Sequence, residues 1–575
     1  MHFRSAPSAD GGHSPIQRFP SLTIMHDSTA PSTWHSNLSA GAAATPTRAA
    51  SATPVIPRET ARTLMVLAIL TGIAGDLLLR VEPFGLNLGL WLSLVGVVLV
   101  AAARRTQRQT DRVTLSLTGA AIAFALMNAW RDAGPLHLLN TVGALACLAT
   151  AFLRVSSSVS PDQAKDNVEL TGSAPRVGMP GIADLAAAAY RSAIATALMA
   201  IPLAIESRIG ELVRERFGSG RAQSVVRGTL LAVPVLLLFG SLLRAADPVF
   251  AALIDRVIII DLGSTWSHLL LGGFFTWTAA GFLRGATSPA SRPIGVRSPL
   301  ALGSIELMVV LGSLATLFLG FVVVQLQYFF GGTTHVALTA GLTYAEYARR
   351  GFFELVWVCA LVIPLLLVAH ESVADDAGAV RMFRIVSAVL LVLLAVIVAS
   401  ALQRMRLYTS AFGLTLARVY ATAFMLGIAL LLAWFTLTVL RGRAERFASG
   451  LIVIAAIGTV SLNAINPEAL VVRVNVARAV AGDTLDTNYL AAGLGADAAP
   501  ALAASLSALS TGARCRLSRT VFDDRWEAAE DWRSWNLARQ RRRMLARVDE
   551  VRAMRAQFPE ADPCAQSTPR SSGAA

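Results

Sequence analysis

From Leu64 onward, apolar runs of 16 to 25 residues alternate with short loops that carry arginine. The runs lie near 64–81, 84–103, 113–130, 135–153, 228–244, 266–283, 300–324, 352–370, 385–402, 419–440 and 447–466, eleven in all. About 20 apolar residues, each adding 1.5 Å of helix rise, cross a hydrocarbon layer of ~30 Å. Lipid offers no partner for an open backbone group, and the strand alternation of a membrane barrel is absent, so the runs are expected to be helices. The pattern predicts an all-α fold, a polytopic transmembrane helix bundle spanning residues 61–466. Residues 1–60, rich in Ser, Pro, Ala, Thr and Gly, read as a disordered tail, and residues 467–575 as a small helical C-terminal domain. One stretch, Ala183–Ile205, is apolar but holds Arg191 and Pro202. It is expected to be an interfacial helix within a cytoplasmic loop, 154–227.

Composition sharpens this picture. Charged residues make up 15% of the 575 and hydrophobic ones 54%, with a mean hydropathy of +0.56. Ordinary soluble proteins carry roughly 25% charge. The net charge is +13, and a single lysine, Lys165, stands among 49 arginines. Cationic loops are retained on the cytoplasmic side. With the N-terminus inside, 26 Lys and Arg fall on inner segments and nine on outer loops. Counting Ala183–Ile205 as a twelfth span nearly erases the bias. Eleven spans place the C-terminal domain outside, where its 15 arginines are no obstacle because long terminal domains translocate largely regardless of charge. Cys147 and Cys359 fall within spans, whereas Cys515 and Cys564 share the C-terminal domain. Those two either form a disulfide outside the cytoplasm or stay free thiols within it.

The lone lysine excludes chemistry as well. It follows Ala164 in a polar loop, so neither a phosphate-cradling P-loop nor a Schiff-base cofactor is expected. The eight histidines show no pair at helical spacing, CxxC is absent, and Gly493-Leu494-Gly495 lacks the third glycine of a dinucleotide loop. No catalytic residue, metal site or cofactor is expected on these grounds, and nothing indicates a nucleic-acid partner. The partners that fit are the lipid bilayer and an anionic lipid or envelope component.

What remains is charge in or at the membrane, where an ionisable group is expensive. Glu306 lies about six residues into its run, roughly 9 Å deep by helix rise, which suits proton or cation coupling or a buried helix–helix hydrogen bond. Asp76 and Arg80 share a helix face at the end of the first run, and Arg244 and Asp247 stand at the end of the fifth. They either line a polar vestibule or cap and anchor their helices. Glu346, Arg350 and Glu354 recur every four residues beside Tyr344 and Tyr347. That stripe serves either as a gate or headgroup contact, or as a salt-bridged interfacial helix.

Several segments resemble a known family. Gly75-Asp76-Leu77-Leu78-Leu79, Pro83-Phe84-Gly85-Leu86-Asn87, Ala246-Asp247-Pro248-Val249-Phe250 and the run from Thr343 to Phe352 are similar to the bacterial multipass membrane family known as domain of unknown function 4173, related to 4153. So are Tyr408 to Tyr420, Asn466-Pro467-Glu468, Leu485 to Leu490 and Trp532-Arg533-Ser534-Trp535-Asn536. The resemblance implies a bacterial cytoplasmic-membrane protein and supplies no activity. Three functions stay open: a transport or channel-like protein with a polar vestibule, a sensor or envelope assembly factor acting through the C-terminal domain, and a membrane enzyme acting on lipid or glycan.

Overall fold

A computed structural model describes residues 56–108, 110–158, 182–208, 262–288, 303–330, 352–373, 376–521, 531–548 and 553, and among them there is no β-strand. The first group of helices is α1 (Arg58–Leu79), α2 (Leu86–Arg105), α3 (Arg112–Met127), α4 (Gly134–Ser157), α5 (Ile182–Leu198), α6 (Ala200–Ser207) and α7 (Leu262–Thr287). A second group follows: α8 (Ser304–Phe330), α9 (Phe352–Glu371), α10 (Ala377–Phe412), α11 (Leu416–Thr438) and α12 (Phe447–Ile465). The C-terminal helices are α13 (Pro467–Val480), α14 (Thr487–Ala492), α15 (Ala499–Ser505), α16 (Thr511–Val521) and α17 (Leu537–Ala546).

Seven of these are long and apolar enough to cross a membrane: α1, α2, α4, α8, α10, α11 and the stretch Ala444–Ile465 that contains α12. The sequence leads one to expect eleven. Among the others, the run near 228–244 lies outside the described residues, and α3 is only 16 residues long, about 24 Å at helical rise. In α9 the described apolar part is Trp357–Glu371. α7 is 26 residues long, but His268, its threonines and Arg284 keep it out of the apolar set. α10 outgrows its predicted run, 36 residues against a hydrocarbon layer that about 20 cross, so its ends extend beyond the apolar slab.

The pattern of burial has the sense expected of helices in lipid. Along α1, Val66, Leu70, Ile73 and Leu77 are exposed, while Ala61, Leu64, Ala68, Gly72 and Gly75 on the opposite face are buried. On α8, Leu307, Leu311, Phe318 and Val322 point inward and Val309, Val310, Leu317 and Val323 outward. The outward face is as apolar as the inward one, and the packed face of α1 is built from small residues. Water would penalise such a surface, whereas a bilayer solvates it.

Two cores follow. In the first group, Leu64, Ala68, Leu203, Ala280 and Leu283 join α1, α6 and α7, and Leu92, Phe124, Ala144 and Leu148 join α2, α3 and α4. In the second, Leu307, Leu366, Phe383, Leu394, Phe435 and Phe447 join α8 to α12. α12 packs on α11 and also on α4 and α5, so it bridges the groups.

The stretch Ala183–Ile205, expected to be one interfacial helix, falls in two helices, α5 and α6, that meet at Met199 and pack against α1, α4 and α7. Gly281 and Gly285 of α7 make room for it: a Cβ on Gly281 would overlap the Thr196 carbonyl, and one on Gly285 would overlap the Ala195 side chain. The Trp277 indole also donates to the Ala197 carbonyl at 2.9 Å.

α1 and α7 also approach closely. A Cβ on Gly72 would overlap Thr276 Oγ1 and lie 2.6 Å from the Thr276 nitrogen, and one on Gly75 would lie 2.7 Å from the Phe275 ring. Gly119 of α3 has nothing within 4 Å of its Cβ position. We therefore expect Gly72→Ala to lower stability by about 1–3 kcal/mol through overpacking, read as a lower melting temperature in detergent. Gly119→Ala, which gains helix propensity without a clash, should leave it unchanged or raised.

Candidate functional site

The α1–α7 contact brings together charges that are 192 residues apart in the chain. Asp76 is 7% exposed and sits in the last turn of α1. Its Oδ1 accepts from Arg80 Nη2 at 2.7 Å and Nε at 3.1 Å, the geometry of a partner one turn on. Its Oδ2 lies 2.5 Å from His268 Nδ1 of α7. Arg80 Nη1 reaches across to Ser267 Oγ at 2.6 Å. The imidazole is half exposed, so the buried carboxylate communicates with the exterior through the ring. A carboxylate on Nδ1 fixes the tautomer and leaves Nε2 as the basic nitrogen of a neutral ring. Gly272 of α7 faces Asp76, where a Cβ would lie in ordinary contact with Asp76 Cβ at 3.6 Å.

At its other end α7 holds a second pair. Arg284 is fully buried, and its Nε and Nη2 each donate at 2.7 Å to Glu206 of α6. Arg108 Nη2 donates to the Thr287 carbonyl at 3.0 Å, and Arg62 Nε to the Ser207 carbonyl at 3.4 Å, closing the same end.

The end that holds Asp76 is covered by the C-terminal helices. Asn536 Nδ2 donates to the carbonyls of Asn128 and Arg131 at 2.9 and 2.8 Å, while its Oδ1 caps α17 by accepting from Ala538 and Arg539. Arg539 donates to the carbonyls of Phe84 and Ser534, and Arg533 to that of Leu77. The backbone joins too: Leu86 N donates to the Trp535 carbonyl and Leu537 N to that of Ala129. α13 is tied similarly to the turn between α10 and α11, where Gly413 adopts φ +76° and Asn475 holds both N and O of Leu414.

Beneath this cover lies a buried carboxylate pair. Asp497 accepts from Arg131 Nη1 at 3.2 Å and from the backbone nitrogens of Asp132 and Ala133 at 2.6 and 3.1 Å. Arg131 Nε reaches the Asn463 carbonyl at the end of α12, and Asn463 exchanges amide hydrogen bonds with Asn140. Glu468 Oε2 accepts from the nitrogens of Gly495 and Ala498. Burial pushes the Glu468 carboxyl up to about 7, and the charges of Asp497 and Asp132 push the same way against those two N–H donors. Burial also raises Asp497, against the pull of the Asp132 nitrogen and Arg131. The Tyr420 hydroxyl is buried nearby without a hydrogen-bond partner.

Of the residues singled out in the sequence, Asp76 and Arg80 meet as expected. Glu306 does not join them. Its helix starts at Ser304, not 300, so Glu306 is an exposed residue of the first turn whose Oε2 folds back over Gly303, and α8 packs on α10. At that position it complements the helix dipole. Arg244, Asp247, Tyr344, Glu346, Tyr347 and Arg350 lie outside the described residues, as does the side chain of Glu354. Cys515 is disulfide-bonded, Cys147 and Cys359 are free, and Cys564 lies outside the described residues. His268 escaped sequence reasoning because its partner is on another helix. The polar residues of α7, too frequent for a lipid-facing span, were the available signal. Among the described residues no group of three His, Cys, Asp or Glu is placed to hold a metal ion.

Comparison with known proteins gives one match. Residues 118–505, about two thirds of the chain, match the domain of unknown function DUF4153, and the chain belongs to that family. The resemblance read from the sequence, to 4173, is thereby corrected to its relative. No curated protein and no solved structure matches. His268, Glu468 and Asp497 fall inside the matched segment; Asp76 precedes it and α17 follows it.

The raised Glu468 carboxyl carries a sign. A carboxyl that binds its proton more tightly in the folded chain contributes most below its ordinary value of 4.5, and the contribution is lost as pH rises through about 7. The melting temperature in detergent should therefore fall between pH 5 and pH 8. Glu468→Gln should flatten that dependence, and an unchanged slope in the variant would remove Glu468 as its source.

Proposed function

We propose that this member of the DUF4153 family is a transport or channel-like protein of the bacterial cytoplasmic membrane. Its polar vestibule opens at the α1–α7 contact and handles protons or small cations. The observation that carries this is the buried carboxylate of Asp76, held at 2.5 Å by a half-exposed His268 and at 2.7 Å by Arg80. A carboxylate at the end of a membrane helix is costly unless it does work or is neutralised. Here Arg80 offsets one charge, and the half-exposed imidazole adds a hydrogen-bonding group between the carboxylate and the exterior.

The orientation that fits has the N-terminus in the cytoplasm. Arginine bookkeeping supports it, as does the disulfide at Cys515, which we pair with Cys564 and place in an oxidising compartment. The residues after Asn466 contact the α1–α2, α3–α4 and α10–α11 turns, so one assignment of sidedness serves all of them. This docking also weighs against a sensor whose helices only anchor a free C-terminal domain. A sensor reading predicts that removing residues 467–575 leaves the bundle intact. The buried bonds predict the opposite.

Purified protein in liposomes with an internal pH dye tests the proposal. Wild type should dissipate an imposed pH or cation gradient. His268→Gln should lower the rate several-fold, and Asp76→Asn should cut it at least tenfold. Equal rates in wild type, both variants and empty liposomes would dismiss transport through this site.

A further inference from the structure

A short loop, 495–498, joins α13 to the α3–α4 turn, and a buried carboxylate serves each connection. Glu468, in the first turn of α13, accepts from the nitrogens of Gly495 and Ala498 at 2.9 and 3.1 Å. A Cβ on Gly495 would lie 3.0 Å from Glu468 Oε1, so the loop backbone is pressed onto the carboxyl. Asp497 in turn holds the nitrogens of Asp132 and Ala133 together with Arg131. The same loop packs on α17. At the start of α17 the Leu537 nitrogen donates to the Ala129 carbonyl, and just before it the Trp535 carbonyl accepts from Leu86. Arg533 of that segment reaches the carbonyl of Leu77, the residue after Asp76.

The charges around Glu468 do not balance. Asp497 in the loop and Asp132 in the α3–α4 turn both bear on it, as does Tyr420 of α11, whose buried hydroxyl makes no hydrogen bond. Arg131 is bonded to Asp497, and Arg539 of α17 lies 3.4 Å from Asp132. Glu468 is 3% exposed, and its hydrogen bonds come from the two backbone nitrogens. Ionised, it is a buried charge facing like charges; protonated, it keeps both hydrogen bonds with no charge to bury. Burial and those neighbours push its carboxyl up to about 7.

We propose that Glu468 is a proton-set latch on the C-terminal helices. Protonated, it lets the 495–498 loop hold α17 on the α1–α2 and α3–α4 turns; ionised, it raises the frequency with which that seat lifts. α13 stays fastened to the α10–α11 turn in both states, because Asn475 and Tyr489 make their bonds to Leu414 and Leu416 without a titrating charge. A carboxyl that moves from about 7 when seated to its ordinary 4.5 when lifted favours the seated state at acid pH. The opening equilibrium then climbs between those two values and levels off above the upper one. The latch does not require transport at Asp76.

Hydrogen–deuterium exchange of the full chain in detergent, corrected for the intrinsic pH dependence of amide exchange, tests it. Between pH 5 and pH 8 the opening equilibrium of the amides of Asp132, Ala133, Gly495 and Ala498 should rise about tenfold or more, most of it below pH 7. Leu86 and Leu537 should rise with them, while Leu414 should not change. Glu468→Gln, which has the shape of the protonated side chain, should hold all of these amides at their pH 5 level. A flat wild-type profile would overturn the proposal. So would a rise at Leu414 as large as at Gly495, which would reveal global unfolding. An undiminished rise in Glu468→Gln would overturn it as well, by assigning the switch to another group. Should that variant fail to fold, the wild-type contrast between Gly495 and Leu414 decides alone.

Discussion

The architecture depends on how closely α7 lies against α1. Gly72 and Gly75 remove the side chains that would hold the two backbones apart, and Thr276 and Phe275 occupy the space. Between membrane helices there is no hydrophobic drive, so contact has to come from packing and from polar groups that bridge. The glycines supply the first, and Asp76 with His268 the second. At ordinary helix separation the imidazole would not reach the carboxylate. The Trp91 indole, which donates to the Thr71 carbonyl at 3.3 Å, shows that α2 is drawn to the same place.

Charge is then concentrated at the two ends of α7. His268 and Arg284 are 16 residues apart, about 24 Å along the axis, and each is bonded to a neighbouring helix. The stretch between them is uncharged, built of Leu, Gly, Phe, Thr, Trp and Ala. Arg284 with Glu206 is fully enclosed, and removing either partner would strand a buried charge, so this pair behaves as a fastener between α6 and α7. Asp76 with His268 is open on one side, where the imidazole is half exposed. The same device, an ion pair at a helix end, thus serves structure at one end and offers chemistry at the other.

The helical character and four of the first helices were legible because hydrophobic length alone decides them: the runs at 64–81, 84–103, 113–130 and 135–153 correspond to α1 to α4. Depth was not legible. Glu306 looked buried because its run was counted from residue 300, and the missing information was where the helix begins. Asp76 and Arg80 were found through spacing of four, a local rule, whereas His268, Asn463 and Asn536 act across hundreds of residues and leave no local trace. The break at Met199 was also invisible, since it arises from what α5 and α6 pack against, although Pro202 and Arg191 marked the stretch as unlike the others. Four segments that seemed separate resemblances, around Asp76, Phe84, Glu468 and Trp535, converge at one end of the bundle.

That convergence constrains how the Asp76 site can be reached. Arg539 binds the Phe84 carbonyl in the α1–α2 turn and lies 3.4 Å from Asp132 in the α3–α4 turn, so one side chain spans both hairpins. Arg131 does the same between the end of α12 and Asp497. Spreading α1 from α2, or lifting the α3–α4 turn, would break several buried bonds at once, each costing about 1–3 kcal/mol if left unsatisfied. The C-terminal helices therefore act as a rigid lid over these turns, and the least costly entry to Asp76 runs past His268 on the α7 side, where the imidazole is half exposed. Glu468 and Asp497 sit inside the lid, where Arg131 bonds Asp497 while Glu468 accepts from the backbone nitrogens of Gly495 and Ala498, so a proton on Glu468 does what a cation would do. Acid strengthens the lid because burial and the neighbouring carboxylates raise Glu468.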